Sequence, residues 1–189
     1  MSETAAGVPL VAPDDPTLLA LRQVGVEPAK LYRALAHRPE LLNAWLEFAG
    51  VLRRECATPR GLRELMILRS AALTGARYIW SDHVPMALAA GVRRQQLEAL
   101  EHWQSASVFT AAERAALAFA GELALSAAVS ESTLTALAQH FSVPERVELA
   151  LTAGFYAMVP RVLASLQVPL PDREPGPVPF PERPARGAH

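Results

Sequence analysis

A chain of 189 residues with 51% hydrophobic and 20% charged side chains carries enough apolar material to bury a core, which excludes a disordered chain. Acidic and basic residues nearly cancel, 19 against 18 for a net charge of −1, so the basic excess of a dedicated nucleic-acid binder is missing. The single cysteine, Cys56, excludes an intramolecular disulfide and four-cysteine or Cys2His2 zinc sites. Lys30 is the only lysine among the 18 basic residues, which leaves Schiff-base and P-loop chemistry almost nowhere to sit.

Proline marks the boundaries. Of 16 prolines, three precede residue 17 and seven follow residue 167. The expected organisation is a flexible segment over 1–15, one all-α domain over 16–167, and a Pro-rich tail over 168–189. That tail cannot continue a helix, and a mobile, extended tail is the expectation. Within the domain, Pro28 suits the first turn of a helix over 28–36, and Pro39 that of a helix over 39–55. Thr58 and Pro59 open a helix that Gly75 closes. Further helices run over 78–90, closed by Gly91, and over 93–103. The stretch Thr110-Ala-Ala-Glu113 is a capping box for 111–127, and Ser130 caps 131–140. Ser142-Val-Pro-Glu145 opens a long helix ending near Leu166. Almost nothing alternates apolar and polar residues as a half-buried strand does, so the fold class is an all-α bundle.

No basic residue precedes Arg22, so the positive start of a secretory signal is missing. The longest uncharged apolar run, Leu149–Pro160, is about half of the ~20 residues a membrane helix needs. A cytoplasmic protein with no membrane and no nucleic-acid partner is expected.

The chemistry-bearing stretch is Arg60 to Gly91. At helical spacing Glu64 shares a face with Gly61, Leu68 and Ala71, while Arg63, Ser70 and Thr74 lie on a more polar side. A carboxylate on an apolar stripe needs a partner: Arg60 or Arg63 as a rim ion pair, or a functional group from elsewhere. His83 shares a face with Trp80, Val84 and Ala87, and alone it reads as a core histidine. Together, a carboxylate on one helix and an imidazole on the next are the parts of a proton shuttle near neutral pH. Arg77 has the fork to hold a substrate carboxylate, and Tyr78 and Trp80 are packing aromatics with polar tips. Phe155, Met158 and Val162 form a stripe read first as core, flanked by Tyr156 and Arg161. His37, His102 and His140 fall near helix ends. No H-x-x-x-H or H-E-x-x-H spacing occurs, and no metal is expected.

From Leu31 to Leu170 the chain resembles the carboxymuconolactone decarboxylase / AhpD-like family. The resemblance rests on LYRALAHRPELLNAW, on R-x-L-R-E-L-x-I-L-R around Glu64, on LTGARYIWSDH against the family's T-G-x-x-Y-E-W-x-x-H, and on the closing VELALTAGFYAMVPRVLASLQVPL. It implies an AhpD-like helical bundle that assembles as a homo-oligomer, a trimer or hexamer. Counting from His83, the redox members' Cys-x-x-Cys positions hold Ala76 and Ile79, while their glutamate position is Glu64. The resemblance therefore implies a cysteine-pair-free member, with peroxidase turnover excluded for want of two thiols. What remains is a cofactor-independent lyase of the decarboxylase type, or an isomerase. It would act on a small carboxylated cyclic compound of aromatic catabolism, with Glu64 and His83 catalytic and Arg77, Tyr78, Trp80 and Tyr156 lining the substrate site. Ile79 stands where many cysteine-free relatives carry glutamate. The rival reading is a non-catalytic ligand-binding or assembly protein on the same scaffold. A helix-turn-helix look over 130–151 is countered by Glu145 and Glu148 beside Arg146 and the apolar run that follows.

Overall fold

The computed structural model describes residues 7–23, 26–172 and 176–181, and among them every regular element is helical. In chain order these are a 3-10 turn Pro16–Leu18 leading into α1 (Leu19–Gln23), α2 (Lys30–Leu35), α3 (Pro39–Arg54), α4 (Arg60–Thr74), α5 (Arg77–Ala89), α6 (Arg94–Glu98), a second 3-10 turn Leu100–His102, α7 (Ala111–Leu125), α8 (Glu131–His140) and α9 (Val143–Ser165). The all-α class is as expected. The expected segments 1–15 and 168–189 fall partly on residues 1–6, 173–175 and 182–189, outside the described residues.

The chain divides into two compact units, residues 1–56 with 158–172, and residues 57–157 with 173–189. In the first unit Leu18, Leu21, Ala36 and Leu42 form a small core, with Val11, Tyr32 and Leu46 packed around it. Residues before the first turn are tied in: Val8 N–H donates to the Leu166 carbonyl at 3.0 Å, and His37 Nε2 lies 2.7 Å from the Pro9 carbonyl.

In the second unit α4 packs against α5 and α7, and α7 against α8. Leu62, Met66, Ala116, Phe119, Leu137 and Leu149 meet in its core. The caps follow the sequence. Thr110 Oγ1 accepts from Glu113 N–H while the Glu113 carboxylate accepts from Thr110 N–H at 2.7 Å. Ser130 caps α8, and Glu145 reaches back to the N–H and hydroxyl of Ser142. Gly75 ends α4 at φ 75°, a left-handed conformation that favours glycine. Thr58 differs from expectation. Pro59 is the N-cap of α4, and Thr58 instead accepts from the Arg63 guanidinium through its carbonyl and hydroxyl. Arg63, read as lying on a polar side, is 2% exposed. The helix α4 is buried on nearly every side, and a guanidinium enters such a place only with bound oxygens.

Among the described residues α9 is long and apolar enough, by length and composition, to cross a membrane, its 18-residue window averaging a hydropathy of 1.3. A count of strictly uncharged residues misses this, because the window tolerates scattered charges. Part of the apolarity serves the fold: Leu149 and Ala153 lie in the core.

Candidate functional site

Gly61, in the first turn of α4, lets that helix run close to the end of α5. A Cβ there would stand 3.1 Å from the Ala90 carbonyl oxygen. One turn further along α4, Glu64 is 0% exposed. Its Oε1 accepts from Arg60 Nη2, one turn earlier on the same helix, and its Oε2 lies 2.7 Å from His83 Nδ1 on α5. A carboxylate only accepts, so the imidazole donates from Nδ1. That fixes the tautomer and leaves Nε2 as the nitrogen whose proton can come and go. The two expectations for Glu64, an ion pair with Arg60 and a meeting with His83, are thus both met, but in the interior rather than at a rim.

The face Trp80, His83, Val84 and Ala87 read from spacing is buried. Tyr156, from α9, presses its ring against His83 at a centroid distance of 4.8 Å and an interplanar angle of 87°, and Phe155 packs on Tyr156. The expected stripe on α9 splits: Phe155 is core, while Met158 is exposed.

Arg77 and Trp80 go elsewhere. The Trp80 indole N–H donates to the Val178 carbonyl at 3.1 Å, and its ring meets Phe180 edge-on. The Arg77 guanidinium lies 4.8 Å over the Phe180 ring. Tyr78 is buried on the same helix. Of the six residues singled out, Glu64, His83 and Tyr156 form one cluster, and Arg77 and Trp80 meet the chain's own tail. The expectation of a mobile tail does not describe residues 176–181, which are held on α5. The signal was present in the sequence as P-V-P-F-P, where apolar side chains recur at every second position of an extended segment.

Glu148 on α9 is a second carboxylate that sequence reasoning missed. It accepts from the N–H groups of Ala57 and Thr58 at 2.8 and 2.9 Å, ahead of α4. Burial pulls its carboxyl up, but these hydrogen bonds and the nearby Arg63 outweigh that and hold it below the usual range. Ile79 is buried on α5 and Ala76 is the N-cap of that helix, so the two cysteine positions of the redox relatives hold no sulfur. Cys56 lies in the other unit, with its thiol 4.0 Å from the Val51 carbonyl. Among the described residues no three His, Cys, Asp or Glu side chains gather as a metal requires.

Residues 39–122 match the Carboxymuconolactone decarboxylase family. No curated protein matches the chain. Among solved structures, a cysteine-to-alanine variant of the debrominase Bmp8 in complex with 2,3,4-tribromopyrrole is 22% identical at a TM-score of 0.77, covering 91% of this chain and 95% of that one. A peroxidase-related protein from Silicibacter sp. TM1040 is 19% identical at a TM-score of 0.72, covering 91% and 96%. An alkylhydroperoxidase AhpD core protein from Ralstonia eutropha JMP134 is 20% identical at 0.69, covering 82% and 83%. At these identities the likeness shows the fold, an AhpD-like helical bundle, and leaves the reaction open.

Proposed function

We propose that this chain, whose residues 39–122 match the Carboxymuconolactone decarboxylase family and which lacks the Cys-x-x-Cys pair, is a cofactor-independent acid–base lyase, decarboxylase-like, or an isomerase acting on a small carboxylated cyclic compound of aromatic catabolism. The observation that carries the reading is the 2.7 Å hydrogen bond between Glu64 and His83 inside the fold. In this reading His83 Nε2 is the atom that moves protons, and Glu64 is the group that fixes its tautomer and offsets the imidazolium charge once it forms. Arg60 neutralises the other oxygen of Glu64 and keeps it turned toward His83.

For a lactone acid the steps balance with one proton per turnover, which water supplies. The bond to the carboxylate breaks, its electron pair moves into the conjugated carbonyl, and carbon dioxide leaves. His83, carrying a second proton taken from water on Nε2, gives that proton to the dienolate carbon as the carbonyl reforms, and water reprotonates Nε2 for the next turnover. An isomerisation uses the same nitrogen first as base and then as acid. The Tyr156 ring against His83 excludes water from one side of the imidazole. A debrominase of this fold holds a small planar ring, 2,3,4-tribromopyrrole, which supports a compound of that size here. Its reaction is not carried over. The family resemblance also supports a homo-oligomer.

The test is turnover of γ-carboxymuconolactone and a panel of related cyclic acids by the wild type, Glu64→Gln and His83→Ala. Each variant is expected to lose about 100-fold or more, the scale of a missing general acid–base group, with an unchanged helical CD spectrum. Wild-type rates in both variants would remove these roles. The complete burial of Glu64 favours one alternative: a non-catalytic ligand-binding or assembly protein in which Arg60, Glu64 and His83 are a structural tie. That alternative expects no turnover by the wild type.

A further inference from the structure

The tail residues 176–181 read Gly-Pro-Val-Pro-Phe-Pro. Proline at every second position holds such a segment extended, and Val178 and Phe180 both meet Trp80. The segment runs antiparallel to α5. A Cβ on Gly176 would stand 3.8 Å from Val84 Cγ1, Val178 meets Trp80, and Phe180 meets both Trp80 and Arg77. Val178 is 4% exposed, whereas Pro177 and Pro179 face outward. Beside it a cleft of about 490 Å³ opens, lined by Trp80, Leu97, Arg94, Glu98 and Glu101 and by Val178 to Pro181 of the tail.

We propose that this segment is an internal ligand: Val178–Phe180 occupies a site on α5 that takes an aromatic ring bearing a carboxylate. The contacts define the class. The Trp80 N–H demands an oxygen acceptor and finds a backbone carbonyl. The Trp80 ring packs at a steep angle against a second aromatic ring, that of Phe180. The Arg77 guanidinium rests on the face of that ring. A carboxylated ring would offer an oxygen acceptor and an aromatic ring, and would add an anion for Arg77. A carboxylate would trade the cation–ring contact for an ion pair with Arg77, so such a ligand competes with the tail for this site. The proposal names the recognition group and the regulation of the small cyclic acid in the function proposed above, and for that purpose it rests on that reading. Its test reads binding and not turnover, so failure of one is separable from failure of the other.

The experiment uses the full-length chain and benzoate as probe, with binding followed by tryptophan emission. A Trp80→Phe variant serves as control for the signals of Trp45 and Trp103. A docked tail lowers apparent affinity by the fraction of molecules left open. Phe180→Ala is therefore expected to bind benzoate about tenfold more tightly than the wild type, as it would if roughly nine molecules in ten are closed. Adding Arg77→Ala abolishes the gain, and the free peptide GPVPFP displaces benzoate from Phe180→Ala. Phe180→Leu, which keeps apolar bulk without a ring, falls between wild type and Phe180→Ala and carries the test if the alanine variant loses its cooperative melt. Equal or weaker benzoate binding by both Phe180 variants means the tail builds the surface instead of occupying it, and overturns the proposal. So does the lack of a saturable signal, or binding indifferent to Arg77.

Discussion

Removing the Glu64 carboxylate leaves the Arg60 guanidinium and the His83 N–H without their acceptor. Breaking a buried charged pair by deleting one member costs about 3–5 kcal/mol. Arg60 retains 27% of its side-chain surface and can turn to water, so Glu64→Ala is expected near the lower end, about 3 kcal/mol. Arg60→Ala should cost less, about 1 kcal/mol, because Glu64 keeps the His83 bond. Urea unfolding of both variants checks the order, and an equal loss would mean that His83 holds Glu64 too weakly to matter. A second expectation concerns sulfur. With Ala76 and Ile79 in the redox positions, hydroperoxide reduction at the expense of thiols should be negligible. Cys56→Ser should leave any residual rate unchanged, and a robust rate lost in that variant would contradict the assignment. At this scale the sequence disclosed Glu64 and His83 because their anomaly was chemical, polar groups at apolar spacing. It did not separate Arg77 and Trp80 from them. Spacing along α5 places these residues on the helix, but cannot say that a segment almost one hundred residues later lies over them.

Besides the apolar packing of Phe119 and Leu137, one carboxylate ties the start of α8 to α7. Glu122, near the end of α7, accepts from the Thr133 hydroxyl and from the N–H of Ser130, both at 2.6 Å, and so gathers the start of α8. The Thr133 hydroxyl first, and the Ser130 N–H after it, hold the Glu122 carboxyl below its ordinary range. A carboxyl lowered in the folded state adds stability that is fully present above its unfolded value. It loses that stability as pH falls through that value, about 4.3, toward the lower folded one. The stability gap between wild type and Glu122→Gln, from urea midpoints, is therefore expected to be widest near pH 7 and to narrow by pH 3. A gap of constant size would show that the carboxylate charge plays no part. The caps at Thr110, Ser130 and Glu145 were legible because each is local, a side chain bonding within three residues. Glu122 escaped notice because its partners lie eight and eleven residues away across a turn. Thr58 was misread because a serine or threonine before proline looks like a cap whatever its hydroxyl finally meets. Nothing local revealed that Arg63 reaches back to it.

Across the molecule the helical order was legible because glycine, proline and capping residues punctuate it, whereas the surfaces that meet other molecules leave a subtler trace. On α9, Val143, Val147 and Leu151 recur every four residues and are 64%, 53% and 47% exposed. Four-residue spacing keeps them on one strip, and the strip lies on a helix whose other side supplies Leu149 and Ala153 to the core. Single exposed apolar side chains are ordinary, but a continuous strip along one helix marks a contact surface. We propose a second copy of this chain as the occupant, in keeping with the oligomer implied by the family resemblance. Burying one such side chain contributes about 1.5–3 kcal/mol, and in a symmetric contact each copy contributes its own strip. A glutamate placed in the strip must be desolvated for the copies to meet, while in the single chain it stays in water. Val147→Glu and Leu151→Glu are therefore expected to shift the mass measured by light scattering toward 20.4 kDa while the far-UV CD of the helices is unchanged. An unaltered mass in both variants would place the contact elsewhere, and a monomeric wild type would leave the strip without this partner.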